Sequence, residues 1–157
     1  MNDDQTSCST AKCGKKKWRT LMFGVVLGIY AQLFDFLVNG VLFADLYKQN
    51  AAHFRPEQDM QVFIPYCILY HLAMGILVAK GYVKWRKKAP FPAGSCPIQK
   101  SLGYGMWVGL LLGIPQIMVA VWTTIPAMLP LIWFGGELVK WTLSGVLLAK
   151  LYGKETV

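Results

Sequence analysis

Residues 21–46, LMFGVVLGIYAQLFDFLVNGVLFADL, form an apolar run in which Asp35 is the only charged residue before Asp45. About 20 apolar residues in a helix cross a hydrocarbon core roughly 30 Å thick. A cleavable signal sequence has an apolar region of only about 7–15 residues, followed by a small-residue cleavage site. This run is longer, and no such site ends it. It therefore predicts a first transmembrane helix, residues 20–46, that stays in the mature protein.

Three more apolar stretches follow, and only short polar segments separate them. The whole chain of 157 residues is 55% hydrophobic and 15% charged, whereas soluble domains have about 25% charged residues. We therefore predict an all-α membrane protein whose four transmembrane helices form two tandem hairpins. The first hairpin is 20–83 (spans 20–46 and 62–83) and the second is 102–151 (spans 102–121 and 127–151); the polar segments are 1–19, 84–101 and 152–157.

The lysines and arginines of the predicted loops and helix ends are distributed unevenly. Thirteen lie in or beside residues 1–19, 84–101 and 152–157, and only Lys48 and Arg55 lie on the other side. Short cytoplasmic loops carry the excess of Lys and Arg. The pattern predicts that both termini and the middle loop are cytoplasmic, in what we expect to be a bacterial inner membrane. The net charge of +8 then indicates anionic lipids of the cytoplasmic leaflet as partners, and not nucleic acid.

Two short matches indicate an internal repeat. GVVLGI at residues 24–29 resembles GLLLGI at 109–114, and GILVAKGY at 75–82 resembles GVLLAKLY at 145–152. Both hairpins start and end on one side, so this repeat is parallel. Small residues four apart allow helices to approach closely in lipid. The predicted packing positions are Gly24, Gly28, Gly75, Ala79, Gly105, Gly109, Gly113, Gly145 and Ala149.

Polar residues at mid-membrane depth are the main candidates for function. A charge at the bilayer centre costs at least about 2.5 kcal/mol, so such groups face the protein interior or water. Asp35 and His71 fall at similar depths and can together hold and pass a proton, or they can form a polar core that fixes helix register. Glu137 and Lys140 are three residues apart and can pair. The candidate set is Asp35, Asn39, His71, Gln116, Glu137 and Lys140.

The sequence carries no motif that assigns a catalytic residue, metal or cofactor. The four cysteines (Cys8, Cys13, Cys67 and Cys96) lack the close pairing and nearby histidine of a zinc site, and we expect free thiols. A haem bound by two histidines is disfavoured, because His53 falls in a loop and only His71 falls within a span. No cofactor is predicted.

Three functions are compatible with this pattern. Small size, minimal loops and glycine-rich helix faces favour a non-catalytic accessory or assembly subunit, bound to other membrane subunits or to copies of itself. The ionisable groups at mid-membrane depth favour, as the alternative, a small proton-coupled transporter. A membrane enzyme acting on lipid or quinone is the third. Its one candidate cluster is the loop set His53, Arg55, Glu57 and Asp59.

Overall fold

The structure of the chain is a computed structural model that describes residues 4–88 and 96–152. Side chains are described in these ranges except at 4–16, 57, 87, 88 and 97. Every element within the two ranges is helical. The long helices are α1 (Asp4–Leu37), α4 (Ile64–Lys88), α5 (Pro97–Trp122) and α6 (Met128–Tyr152); the short ones are a π-helix (Val38–Leu42), α2 (Ala44–Gln49), a 3₁₀ turn (Ala51–His53) and α3 (Glu57–Gln61).

Four segments of these helices are long and apolar enough to cross a membrane. Each has 23 or more residues and at 1.5 Å per residue exceeds the roughly 30 Å hydrocarbon core. The prediction of an all-α chain with four helices of membrane-spanning length is therefore confirmed. The segments are Lys17–Leu42, Ile64–Arg86, Ile98–Trp122 and Met128–Tyr152.

The helices and the predicted spans end at different residues. Helix α1 already begins at Asp4, within the segment predicted as polar and basic, because lysine and alanine favour helix even where the segment is too polar for lipid. The predicted loop 84–101 contains the end of α4 and the start of α5. Pro97 is the first residue of α5, a position where its missing N–H is harmless. Residues 89–95, 1–3 and 153–157 lie outside the described residues.

Helix α1 changes geometry two residues after Asp35. From Val38 to Leu42 it is a π-helix, and the Phe43 N–H donates to the Val38 carbonyl oxygen at 3.0 Å. Asn39 and Gly40 are weak helix formers, which fits a departure from α-geometry at this point. Such single-turn π segments occur frequently at functional sites. The predicted continuous span 20–46 is thus interrupted in its last third.

Glycines line the contact between α1 and α4. A Cβ added at Gly24 would lie 2.5 Å from the Ile76 Cα, and one at Gly28 would lie 2.7 Å from the Leu72 Cα. Gly75 faces both of these glycines, and its added Cβ would lie 2.8 Å from the Gly28 Cα. Because Cβ atoms essentially never come so close to backbone, the backbones of α1 and α4 can approach this closely only at glycines.

The contact between α5 and α6 also uses glycines, but in a different register. The sequence match pairs Gly145 with Gly75, so Gly145 is expected beside Gly109 and Gly113. Instead, the amide nitrogen of Gly145 lies 3.1 Å from a Cβ built at Gly105, which is about one turn before Gly109 and two turns before Gly113. The internal repeat therefore stays a prediction. The remaining packing positions, Gly109 and Gly113, meet Leu138 and Phe134 of α6, and Ala79 and Ala149 are buried.

The two ends of the bundle differ in packing. We call the end with Lys17, Arg86 and Lys150 the basic end, and the end with Leu42 and Trp122 the loop end. Most of the core lies toward the basic end. There, the Tyr104 hydroxyl of α5 donates to the Val78 carbonyl oxygen of α4 at 2.8 Å. At the loop end Leu42 and Trp122 are 73% and 83% exposed. The core side chains are Leu27, Ala31, Val78, Ala79, Tyr82, Tyr104, Trp141, Leu148 and Tyr152.

Candidate functional site: an ion-pair cluster beside a cavity

Three helices bring four ionisable side chains together between the two ends. Lys140 of α6 donates to both carboxylate oxygens of Asp35 of α1 at 2.9 Å, and to Glu137 Oε1 at 2.7 Å. The Lys140 side chain is only 1% exposed. His71 of α4 joins through its Nε2, 2.8 Å from Asp35 Oδ2. We call Asp35, His71, Glu137 and Lys140 the Asp35 cluster.

The two contacts of the His71 ring determine how many protons it needs. Nδ1 lies 2.9 Å from the Cys67 carbonyl oxygen, which can only accept, so Nδ1 carries a proton. Nε2 faces Asp35 Oδ2 at 2.8 Å, and an ionised carboxylate also only accepts. This second hydrogen bond therefore needs one further proton, either on Nε2 or on Oδ2. The Asp35–His71 contact is therefore a hydrogen bond only when this further proton is present.

This proton balances the charge of the cluster. With it, Asp35 and His71 together carry no net charge, and the Lys140 ammonium balances the Glu137 carboxylate. Without it, the cluster carries one net negative charge. The bare Nε2 lone pair then also faces the carboxylate. A buried unbalanced charge is strongly unfavourable, so the Asp35–His71 contact depends on the proton.

Further side chains of α6 hold the cluster in place. The Trp141 indole Nε1 donates to Glu137 Oε2 at 2.7 Å, so each oxygen of Glu137 has a donor. The Ser144 hydroxyl donates to the Lys140 carbonyl oxygen at 3.0 Å. Sequence reasoning missed both residues. The signal for them is spacing, because Trp141 and Ser144 follow Glu137 and Lys140 by one helical turn each.

A cavity of about 310 Å³ adjoins the cluster on one side. The carboxylates face it, since the side chains of Asp35 and Glu137 are 26% and 15% exposed, whereas Lys140 lies behind them. A Cβ built on Gly136 would meet nothing within 4 Å, so this part of α6 borders open space. The lining residues are Asp35, Val38, Asn39, Gln116, Ile132, Trp133, Gly136 and Glu137.

All six polar residues singled out in the sequence meet at this site. Asp35 and Glu137 belong to both the cluster and the cavity wall, His71 and Lys140 to the cluster, and Asn39 and Gln116 to the wall. The predicted packing glycines lie at helix contacts instead. Among the residues that the structure describes, no group of three His, Cys, Asp or Glu side chains is placed to hold a metal ion. The loop residues His53 and Arg55 are exposed.

A tyrosine beyond the first span connects two walls of the cavity. The Tyr47 hydroxyl of α2 donates to Asn39 Oδ1 at 2.8 Å and accepts from the Trp133 indole Nε1 at 2.5 Å. The Phe54 ring packs beside both aromatic residues. Its centroid lies 5.4 Å from the ring centroid of Tyr47 and 6.4 Å from that of Trp133. Burial raises the pKa of Tyr47 above its ordinary value of 10.0. We call the two hydrogen bonds the Tyr47 bridge; sequence reasoning missed it.

Comparison of the chain with family models, with curated proteins and with solved structures found no match.

Proposed function

We propose that the protein is a small proton-coupled carrier of the membrane. The Asp35–His71 pair holds the coupled proton, and the adjoining cavity holds the transported solute. The observation that carries the proposal is the set of two hydrogen bonds of His71, to Cys67 and to Asp35, which together need one proton more than a neutral ring beside an ionised Asp35 supplies. A polar core that only fixed helix register would need no cavity against its carboxylates.

Removal of the proton changes the contacts between helices. The bare Nε2 of His71 then faces an anionic oxygen of Asp35, and both atoms are acceptors. His71 and Asp35 separate, and Asp35 stays paired with Lys140 alone. Because Asp35 and His71 lie on α1 and α4 whereas Lys140 lies on α6, the proton shifts the balance of contacts within and between the hairpins. Loss of the proton between His71 Nε2 and Asp35 Oδ2 thus leads to a movement of helices.

The moving units in this proposal are the two hairpins. Helices α1 and α4 pack most closely on each other, as do α5 and α6, and contacts between the hairpins are fewer. Within each hairpin, glycines bring the backbones into direct contact. Interfaces of this kind favour rigid bodies that move against each other. The Asp35–Lys140 ion pair joins the two bodies at the level of the cavity.

The orientation follows the positive-inside rule. We place the basic end, with both termini, in the cytoplasm of a bacterial cell, where it contacts anionic lipids. The cavity then lies on the side of the cluster away from the cytoplasm. In the conformation described here, the close-packed basic end closes the inner side, so the solute and the proton reach the cavity from outside once the loop end opens.

The accessory-subunit function stays a prediction. The described surface exposes large apolar side chains on all four long helices, such as Ile29, Leu69, Leu111 and Leu131. Lipid tails satisfy such a surface as well as a partner subunit does. Among the described residues, no contact favours the accessory function over transport. The loop residues His53 and Arg55, proposed for an enzyme acting on lipid or quinone, are exposed.

Proteoliposomes with an enclosed pH-sensitive dye test the proposal. Gradients of a permanent monocation (tetraethylammonium), an uncharged sugar and a monoanion are imposed in turn. We expect at least one gradient to change the internal pH, and we expect Asp35→Asn and His71→Gln to abolish this change. Asp45→Asn is the control, because that carboxylate is 89% exposed and does not line the cavity. A wild-type protein that gives no pH change with all three solutes, or an Asp35→Asn variant with unaltered flux, contradicts the proposal.

A further inference from the structure

The Tyr47 bridge joins two walls of the cavity that belong to different hairpins. Asn39 lies in the π-helix that follows α1, and Trp133 lies in α6. Both residues line the cavity, whereas Tyr47 does not. The Tyr47 hydroxyl donates to one wall and accepts from the other. Since its single proton is committed to Asn39, the hydroxyl holds both walls in one relative position.

Aromatic packing adjoins the Tyr47 bridge. The Phe54 ring lies 5.4 Å from Tyr47 and 6.4 Å from Trp133, and all three side chains are partly buried. The neighbouring residues of α2, Asp45 and Lys48, form a surface ion pair with side chains 89% and 76% exposed. Helix α2 therefore presents Tyr47 to the bundle and its charged residues to the surroundings.

The connection between Asp35 and Tyr47 contains the one π-helix of the described residues. A π-helix holds one more residue per turn than an α-helix, so conversion between them rotates everything that follows. Gly40 lies inside this segment, and a Cβ there would meet only the Phe36 side chain, at 3.5 Å. The segment makes no close contact with the backbone of another helix at Gly40, unlike α1 at Gly24 and Gly28, and none of its five residues is buried. It can change geometry without separating packed helices.

We propose that the Tyr47 bridge is the outer gate of the cavity, closed in this structure and opened when the Tyr47 hydroxyl leaves Asn39 and Trp133. The inference rests on the proposed function, since a gate regulates access to the solute site. Opening frees the wall of α1 from the wall of α6 on the outer side of the Asp35 cluster. The hydroxyl keeps its proton at neutral pH, since burial raises the pKa of Tyr47, so the bridge stays intact until the walls move.

Thiol labelling of a cysteine in the cavity wall tests the gate in the full-length protein in lipid vesicles. Gly136→Cys places the thiol where a side chain has open space. The probe is a membrane-impermeant methanethiosulfonate added outside, and mass spectrometry follows the peptide with this cysteine separately from the native ones. Adding Tyr47→Phe removes one hydroxyl and keeps the ring. We expect about tenfold faster labelling, which corresponds to about 1.4 kcal/mol in favour of the open state.

Two further variants and one control complete the experiment. Trp133→Phe removes the other partner of the bridge, so we expect faster labelling there too. Tyr66→Phe makes the same chemical change at a side chain that is 67% exposed, and we expect no change. Unchanged labelling in both Tyr47→Phe and Trp133→Phe, with thermal stability equal to the parent, overturns the gate. Accelerated labelling in a protein that moves no protons retains the gate and rejects the transport function.

Discussion

The basic end and the loop end of this bundle are made of different kinds of contact. At the basic end glycines bring backbones together and buried tyrosines join α4 to α5. At the loop end a cavity, a π-helix and two hydrogen bonds of Tyr47 take their place. Close packing leaves few alternative arrangements, whereas a region with few buried apolar contacts opens at a lower free-energy cost. The comparison sets a close-packed end against an irregular end that contains the cavity, with the Asp35 cluster between them.

The largest effect is expected at the boundary between the two ends. Lys140→Met leaves the carboxylates of Asp35 and Glu137 without their shared ammonium in a buried site. Removal of one partner from a buried ion pair destabilises by about 3–5 kcal/mol. We expect a loss of that size in the free energy of unfolding, measured by denaturant titration in detergent micelles.

A triple variant serves as the control for this loss. Lys140→Met combined with Asp35→Asn and Glu137→Gln removes the charges together, and we expect it to regain most of the stability. If the single variant is as stable as the wild type, the ammonium does not balance the carboxylates as described.

Glycine-to-alanine substitutions measure the rigidity of the basic end directly. Gly75→Ala puts a methyl group against the backbones of Gly24 and Gly28, and overpacking of this kind costs about 1–3 kcal/mol. Gly136→Ala puts the same methyl group into open space and gains up to about 1 kcal/mol of helix propensity. We expect opposite signs in thermal unfolding followed by near-UV circular dichroism. Equal effects would mean that the two regions do not differ in packing.

A smaller loss is expected for a tyrosine hydroxyl between the hairpins. Tyr104→Phe removes a hydrogen bond of 2.8 Å to the Val78 carbonyl oxygen, worth about 0.5–1.5 kcal/mol. Tyr66→Phe, at an exposed side chain, should leave stability unchanged. Thermal unfolding of the two variants in parallel measures the difference, and a larger loss for Tyr66→Phe would contradict the position of the core.

Much of this architecture can be read from local sequence. Runs of about 20 apolar residues are sufficient to identify four helices of membrane-spanning length, and spacing of three is sufficient to suggest that Glu137 and Lys140 pair. Hydropathy reports burial in lipid and not helix formation, so the start of α1 at Asp4 was not anticipated. Similar depth suggested that Asp35 and His71 are neighbours, and their atoms lie 2.8 Å apart.

Other contacts between distant residues could not be predicted from the sequence. Lys140 donates to Asp35 across 105 positions of the chain. The spacing of Lys140 and Glu137 predicts their own ion pair but not this second one. Tyr47 lies beyond the last span residue, Leu42, where hydropathy carries no information on side-chain contacts. The Tyr47 bridge also depends on the five-residue π-helix, which contains Asn39. A π-helix this short leaves no periodic pattern in the sequence that would predict it.

The transferable proton of the Asp35–His71 pair is the central claim, and nitrogen NMR of the histidines tests it most directly. The chain has two histidines, so protein labelled with ¹⁵N-histidine in lipid bilayers, with His53→Gln for assignment, resolves the His71 ring. We predict a proton on Nδ1, donated to Cys67, and a second proton shared between Nε2 and Asp35. A neutral His71 with its only proton on Nε2 and a bare Nδ1 would contradict the account, because such a ring satisfies Asp35 without any proton to transfer.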